Sequence, residues 1–212
     1  MDITYVGHAC FLIKFSTGLR VCFDPYKDGS VPGLASADVV ADEVYCSHSH
    51  ADHCDYESVL SPDDPYEGDA PEVEVIKTFH DDVQGAARGR NNITIVKSGK
   101  EKVVHMGDIG CELTEEQLDR IRGCDFLMIP VGGFFTINCR QAYRMVNQIE
   151  PMAVVPMHFS GNGFGYKEIS GREEFVELFK KSDDRAIIYA GRHLGVLPQE
   201  KCLLLMEPLR IL

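Results

Sequence analysis

Apolar residues fall in short alternating or continuous runs along this chain, and most of the runs are strand-sized. Residues 3–6, 10–15 and 19–23 are rich in β-branched and aromatic side chains and predict three strands. Ser16-Thr17-Gly18 reads as the hairpin turn between the last two. Residues 44–46 predict another short strand. Residues 61–72 read as a loop, broken by Pro62, Pro65 and Pro71 and solvated by acidic side chains. Alternation over 73–78 predicts a strand, and runs at 93–96 and 103–106 around Gly99 predict a second hairpin. Thr114 with Gln117 three residues later forms a capping-box pattern that opens a helix to about Arg122. A buried strand is expected over 126–131, and helical spacing over 140–149 stops at Pro151. Residues 153–157 predict a strand, 171–181 an amphipathic helix, and 187–190 and 202–206 closing strands. Strands come in runs, and helices follow single strands in the second half, which predicts an α+β fold of sheets covered by helices. No internal repeat, low-complexity tract or composition shift divides the chain, so residues 1–212 read as one domain.

Composition narrows the class. Hydrophobic residues make up 44% and charged residues 25% of the 212, which fits a soluble globular protein and excludes intrinsic disorder. The net charge is −12, from 21 basic and 33 acidic side chains. Such a surface repels phosphate backbones, so neither a nucleic-acid nor a membrane partner is expected. A small anionic substrate stays open, because a site can carry a local field opposite to the net charge. The first residues lack the pattern of a secretory signal, and no apolar stretch approaches the roughly 20 residues of a membrane span. Eight cysteines occur without a C-x-x-C pair. They read as reduced thiols, which predicts a cytoplasmic location. Oligomeric state is left open, a homo-oligomer included.

The chemistry concentrates in His48-Ser49-His50-Ala51-Asp52-His53. Four metal-competent side chains fall within six residues. In an extended segment, residues two apart face the same side, so His48 and His50 are expected to grip one ion together. Asp52 and His53 lie where the chain turns and are placed to reach a second. Further candidates stand at predicted strand ends: His80 after 73–78, Asp108 after 103–106 and His158 after 153–157, with His48 itself after 44–46. Four strands delivering such residues at their C-terminal ends would gather them on one rim of a sheet. Imidazole and carboxylate suit zinc first, with manganese, iron and nickel also accommodated.

These motifs, with Phe79-His80-Asp81, Met106-Gly107-Asp108 and Pro156-Met157-His158, resemble the metallo-β-lactamase-fold hydrolase superfamily. Residues 4–10, Asp24-Pro25 and 130–136 are similar to its small single-domain branch, which includes L-ascorbate-6-phosphate lactonase-like proteins. The resemblance covers nearly the whole chain and implies a four-layer αββα sandwich. It implies two divalent metal ions: His48, His50 and His80 on the first, Asp52, His53 and His158 on the second, and Asp108 bridging both with a water or hydroxide. It further implies a bridging hydroxide as nucleophile, with Asp52 as the catalytic residue that orients it or shuttles its proton. The expected substrate is a small metabolite carrying an ester, lactone, thioester or phosphoester. A phosphodiesterase or nuclease of the same superfamily, and a metal-binding domain without catalysis, are the alternatives.

Other residues surround this set. Asp24 is expected either to hold the second nitrogen of a ligating imidazole, as in the family, or to be a turn residue before Pro25. His8 is expected either to line the pocket or to be a satisfied structural histidine. Gly132 and Gly133 permit a close backbone approach or a sharp turn, and Phe134 and Phe135 could wall a pocket. Residues 161–165 read as a mobile loop. Asp81 and Asp82 read as a helix start, His105 as structural, His193 as a surface residue, and Cys46 and Cys54 as structural thiols.

Overall fold

The computed structural model describes residues 1–182 and 184–212. The first half builds a five-stranded sheet. β1 (Asp2–Gly7), β2 (Cys10–Lys14) and β3 (Arg20–Phe23) form an antiparallel meander. The 15–19 turn closes its second hairpin, with Leu19 O accepting from Phe15 N at 2.9 Å. β4 (Val39–Val40) leaves this sheet, whereas β5 (Glu43–Tyr45) pairs in parallel with β3. Among the described residues, β6 (Val59–Leu60) pairs only with β4.

The second half builds a seven-stranded sheet. β7 (Glu72–Phe79), β8 (Arg90–Ser98) and β9 (Glu101–His105) run antiparallel. Helix α1 (Glu115–Ile121) follows, then β10 (Phe126–Pro130), helix α2 (Cys139–Ile149), β11 (Ala153–Met157) and helix α3 (Glu173–Ser182). β12 (Ala186–Gly191), β13 (His193–Leu194) and β14 (Cys202–Met206) close the chain. The strand order is β12-β14-β11-β10-β9-β8-β7, and β13 crosses to the edge of the first sheet beside β1.

Every residue of β10, β11 and β14 is buried, as parallel strands covered on both faces require. The sheets meet through Phe11 of β2, which packs edge-on to Phe126 of β10 with ring centroids 6.3 Å apart. His105 stacks on Phe23 at 5.4 Å, and its Nε2 lies 2.8 Å from the Ala9 carbonyl. The structural role expected of His105 is therefore that of a pin between the sheets. α2 buries Ala142, Met145, Val146 and Ile149, the i, i+3, i+4, i+7 stripe of a helix lying on a core. Asn138 caps it with bonds from Arg140 N and Gln141 N, so it begins one residue before the sequence predicts. α3 begins at Glu173, two residues later than predicted. Among the described residues no α-helix precedes Glu115. On the side of the first sheet, the helical layer is reduced to loops and a single 3-10 turn at Tyr56–Ser58.

Strand direction positions the site. β1, β3 and β5 point the same way in the first sheet, because β2 is antiparallel to both of its neighbours. β7, β9, β10 and β11 likewise share one direction in the second. Their C-terminal ends deliver His8, Asp24 and Ser47-His48 from one sheet, and His80, Asp108, Gly132 and His158 from the other.

Candidate metal centre

The 47–53 segment is a series of bends and turns, not the extended stretch predicted for His48 and His50. His50 O accepts from both His53 N and Cys54 N at 3.0 Å, which folds the loop back on itself. The two side chains still converge, with His48 Nε2 and His50 Nδ1 3.0 Å apart.

The donor atoms gather in three overlapping groups. His48, His50 and His80 form one, His8, Asp52, His53 and His158 a second, and His48, His53 and Asp108 a third; within each, the donor atoms lie within 4.8 Å of one another. Asp108 stands at the centre. Its Oδ2 lies 3.1 Å from His53 Nε2, 3.2 Å from His80 Nε2 and 3.1 Å from His158 Nε2. All four side chains are buried. The residues expected as ligands are thus brought to one place. His8 joins them as well, its Nε2 3.3 Å from Asp52 Oδ2.

Hydrogen bonds behind the cluster fix which nitrogens face it. His53 Nδ1 meets Asp24 Oδ2 at 2.7 Å, and Ser47 Oγ donates to the same oxygen at 2.6 Å. Ser47 Oγ in turn lies 2.9 Å from His48 Nδ1. Asp24 therefore holds one imidazole directly and another through a serine. His80 Nδ1 donates to Phe135 O at 3.1 Å. With their Nδ1 atoms acting as donors, neutral His53 and His80 present lone pairs from Nε2 toward Asp108. His53 Nε2, Asp108 Oδ1, His158 Nδ1 and both ring nitrogens of His8 are buried without an aligned hydrogen bond. Buried polar atoms left in that state are costly. A divalent ion satisfies several such lone pairs at once, whereas a proton serves one pair, so the donor set fits metal.

The same crowding moves the pKa values. Burial, with His158 close by, lowers His8 to about 4. Burial and the neighbouring His53 lower His48 to about 3. Burial also opposes charge on His53, but Asp108 and Asp24 outweigh it and hold His53 well above its usual range. Asp108 is itself held well below the usual carboxylate range: burial pulls it up, and His158 and His53 prevail. The site strains its backbone too. His8, Asp24 and His158 have φ of 54°, 43° and 50°, a left-handed conformation uncommon for residues with a Cβ. A Cβ on Gly132 would collide with the His158 carbonyl, and Gly133 sits at φ 65°, so the pair supplies both the close approach and the turn.

A cavity of about 300 Å³ opens on the cluster. His50, Asp52, His80, Asp108 and His158 line it, together with Phe135, Tyr166 and Arg88. Phe134 is 63% exposed and lies outside it. Tyr166 OH donates to Ser30 O at 2.6 Å and lies 3.3 Å from Asp52 Oδ2. Neither Tyr166 nor Arg88 is singled out by the sequence. The only hints are that each sits between glycines in a loop following a histidine candidate.

Three expectations are corrected. Asp81 and Asp82 start no helix: the Asp81 carboxylate accepts from the backbone N–H of Val83, Gly85, Ala87 and Arg88 and winds the 81–89 loop around itself. The 161–165 loop is tied down, with Phe164 buried, Gly161 N bonded to Phe164 O and Gly165 N bonded to Pro32 O. The extended 48–50 segment is a turn, as described above. His193 is exposed, near Thr4 and Asp2. Cys46 and Cys54 are free thiols, partly buried.

Residues 2–158 match the family model described as the β-lactamase superfamily domain. The chain is 24% identical over 197 residues to a UPF0173 metal-dependent hydrolase of Carboxydothermus hydrogenoformans, covering 76% of this chain and 85% of that one. It is 26% identical over 205 residues to a UPF0173 protein of Pyrococcus furiosus, covering 85% and 92%. Among solved structures it is similar to a Thermotoga maritima protein of the metallo-β-lactamase superfamily, with TM-score 0.74, 26% identity and 98% of each chain covered. Two facing sheets, a rim of histidines and aspartates at their shared ends, and a match over residues 2–158 together place this chain in the metallo-β-lactamase superfamily.

Proposed function

We infer that this chain, a metal-dependent hydrolase, works with two divalent ions on a small substrate bearing an ester, lactone, thioester or phosphoester. The observation that supports this reading is the convergence of three imidazole nitrogens on the single oxygen Asp108 Oδ2, two of them on rings whose Nδ1 atoms are engaged elsewhere. His48, His50 and His80 would hold one ion and Asp52, His53 and His158 the other, with Asp108 shared. Zinc suits this donor set first. When bound, the ions supply a hydroxide nucleophile at neutral pH and a Lewis acid for the electrophilic oxygen.

The chain's own residues do the rest. Asp24 keeps the His53 ring turned with Nε2 toward Asp108 and, through Ser47, holds His48 with Nε2 toward His50. Asp52 faces the cavity and is the group positioned to take a proton at Oδ2. Tyr166 OH and His8 Nε2 both lie 3.3 Å from that oxygen and fix its direction. Phe135 and Tyr166 give the cavity an aromatic lining that limits water around the reacting group. Two ions at +4 against Asp52, Asp108 and a hydroxide at −3 leave the centre positive, which favours substrates that carry or develop negative charge.

Elemental mass spectrometry on protein purified without chelator tests the reading. About two transition-metal ions per chain are expected, falling sharply in His50→Ala, with ester or lactone hydrolysis that a chelator abolishes. A protein that takes up no metal, even after exposure to Zn²⁺ and Mn²⁺, would rule it out.

A further inference from the structure

A second cavity, of about 270 Å³, adjoins the metal-type cluster on the side of the His48–His50 turn. His48, Ser49, His50, Arg88, Arg90 and Asn92 line it, and no carboxylate does. That is notable in a chain with 33 acidic and 21 basic residues. Arg20, Arg120, Arg122, Arg140, Arg144 and Arg172 each meet an Asp or Glu. Among the described residues, no carboxylate lies within ion-pair distance of Arg88 or Arg90.

Arg88 is also held in place. Its guanidinium stands over the rings of Phe134 and Phe135, 5.9 and 5.5 Å from their centroids. Its backbone N–H is one of the four wound onto Asp81. It lines both cavities, as does His50, so the two lie side by side with these side chains between them. A fixed guanidinium without a counter-ion, beside a centre that becomes positive when metals bind, is electrostatically incomplete until an anion arrives. Its planar fork matches carboxylate and phosphate oxygens.

We propose that this second cavity is an anion subsite, and that the substrate carries, apart from its scissile bond, a carboxylate or phosphate group received by Arg88 and Arg90. The proposal names the substrate class for the hydrolase reading above and rests on it. The reacting bond sits over Asp108 and Asp52, and the anionic group reaches past His50 to the two arginines. Ser49 and Asn92 offer further donors at the same mouth.

The test uses zinc-loaded full-length protein, with metal content checked in every variant. Hydrolysis of mono-4-nitrophenyl glutarate is compared with that of 4-nitrophenyl acetate. In parallel, calorimetry measures Kd for glutarate and for inorganic phosphate, which distinguishes a carboxylate subsite from a phosphate one. In Arg88→Gln, and more so in Arg88→Gln with Arg90→Gln, the kcat/KM ratio of anionic to neutral ester is expected to fall at least tenfold. The Kd of the preferred anion is expected to rise at least tenfold. An unchanged ratio with unchanged Kd overturns the subsite while leaving the hydrolase reading standing. If the wild type hydrolyses neither ester, the Kd comparison alone decides the subsite. A wild type that binds neither anion overturns it, as does equal binding by wild type and variants.

Discussion

At Asp24 a single carboxylate accepts from Ser47 N at 2.7 Å and from Ser47 Oγ, and meets His53 Nδ1. Asp24→Asn keeps the size but turns one acceptor into a donor that His53 cannot use. Metal affinity is expected to fall about 10–100-fold, the usual cost of disturbing a partner behind a ligand, as measured by competition with a chelating dye. His53 gives the pH dependence. Its pKa in the metal-free fold is raised by Asp108 and Asp24. The protonated pairing therefore stabilises the metal-free protein fully below about 6.5, the unfolded value, and is lost as pH rises through the raised folded value. A metal ion must displace that proton. Zinc binding near pH 7 is expected to release protons and to strengthen as pH rises, visible as a binding enthalpy that differs between Tris and HEPES. Equal enthalpies in the two buffers would contradict this. The His-x-His-x-Asp-His run is legible in the sequence because its members are neighbours. Arg88 and Tyr166 are not, since what each does depends on a loop brought from elsewhere.

Among the elements, those with a clear period were readable: the first hairpin, the fully apolar β10, β11 and β14, and α2 with its buried stripe. The two-residue strands β4, β6 and β13 have too few residues to show alternation and exist only through their partners. The 81–89 loop misled for another reason. An aspartate followed by several residues can cap a helix or organise a turn by the same side-chain-to-backbone bonds, and here Gly85 and Gly89, both at positive φ, select the turn. The strand-end turn at Gly132 makes a sharper test. Gly132→Ala forces the end of β10 away from the His158 carbonyl. Overpacking of this kind costs about 1–3 kcal/mol. The variant is expected to melt earlier and also to hold less metal, because His158 moves with its backbone. A variant that melts earlier but keeps full metal content would separate the turn from the site.

For the molecule as a whole, sheets covered by helices were legible from the strand runs and the four-layer sandwich was implied by the family resemblance, but the order of the second sheet was not legible. β14 inserts between β11 and β12 although it comes last in the chain, and no local pattern encodes which parallel partner a buried strand takes. The complete donor set exists only in the folded chain, since His80, Asp108 and His158 come from segments distant from 48–53. Saturating zinc at about 100 times Kd should therefore add up to about 2.7 kcal/mol to stability for each site filled, and a chelator should lower the melting temperature accordingly. A melting temperature indifferent to metal would mean that no intact site forms.

The placement of those donors across the two sheets has a mechanical meaning. His48, His50, Asp52 and His53 precede the largely exposed, proline-broken 61–71 stretch, while His80, Asp108 and His158 follow it. Each half of the polypeptide therefore owns part of the coordination set and neither owns enough. A protease cut in that stretch would turn the metal centre into a clasp between two fragments. Their cohesion would then draw on the divalent ion as well as on the apolar contact between the sheets, so chelation would weaken the hold between the fragments of a hydrolase nicked there.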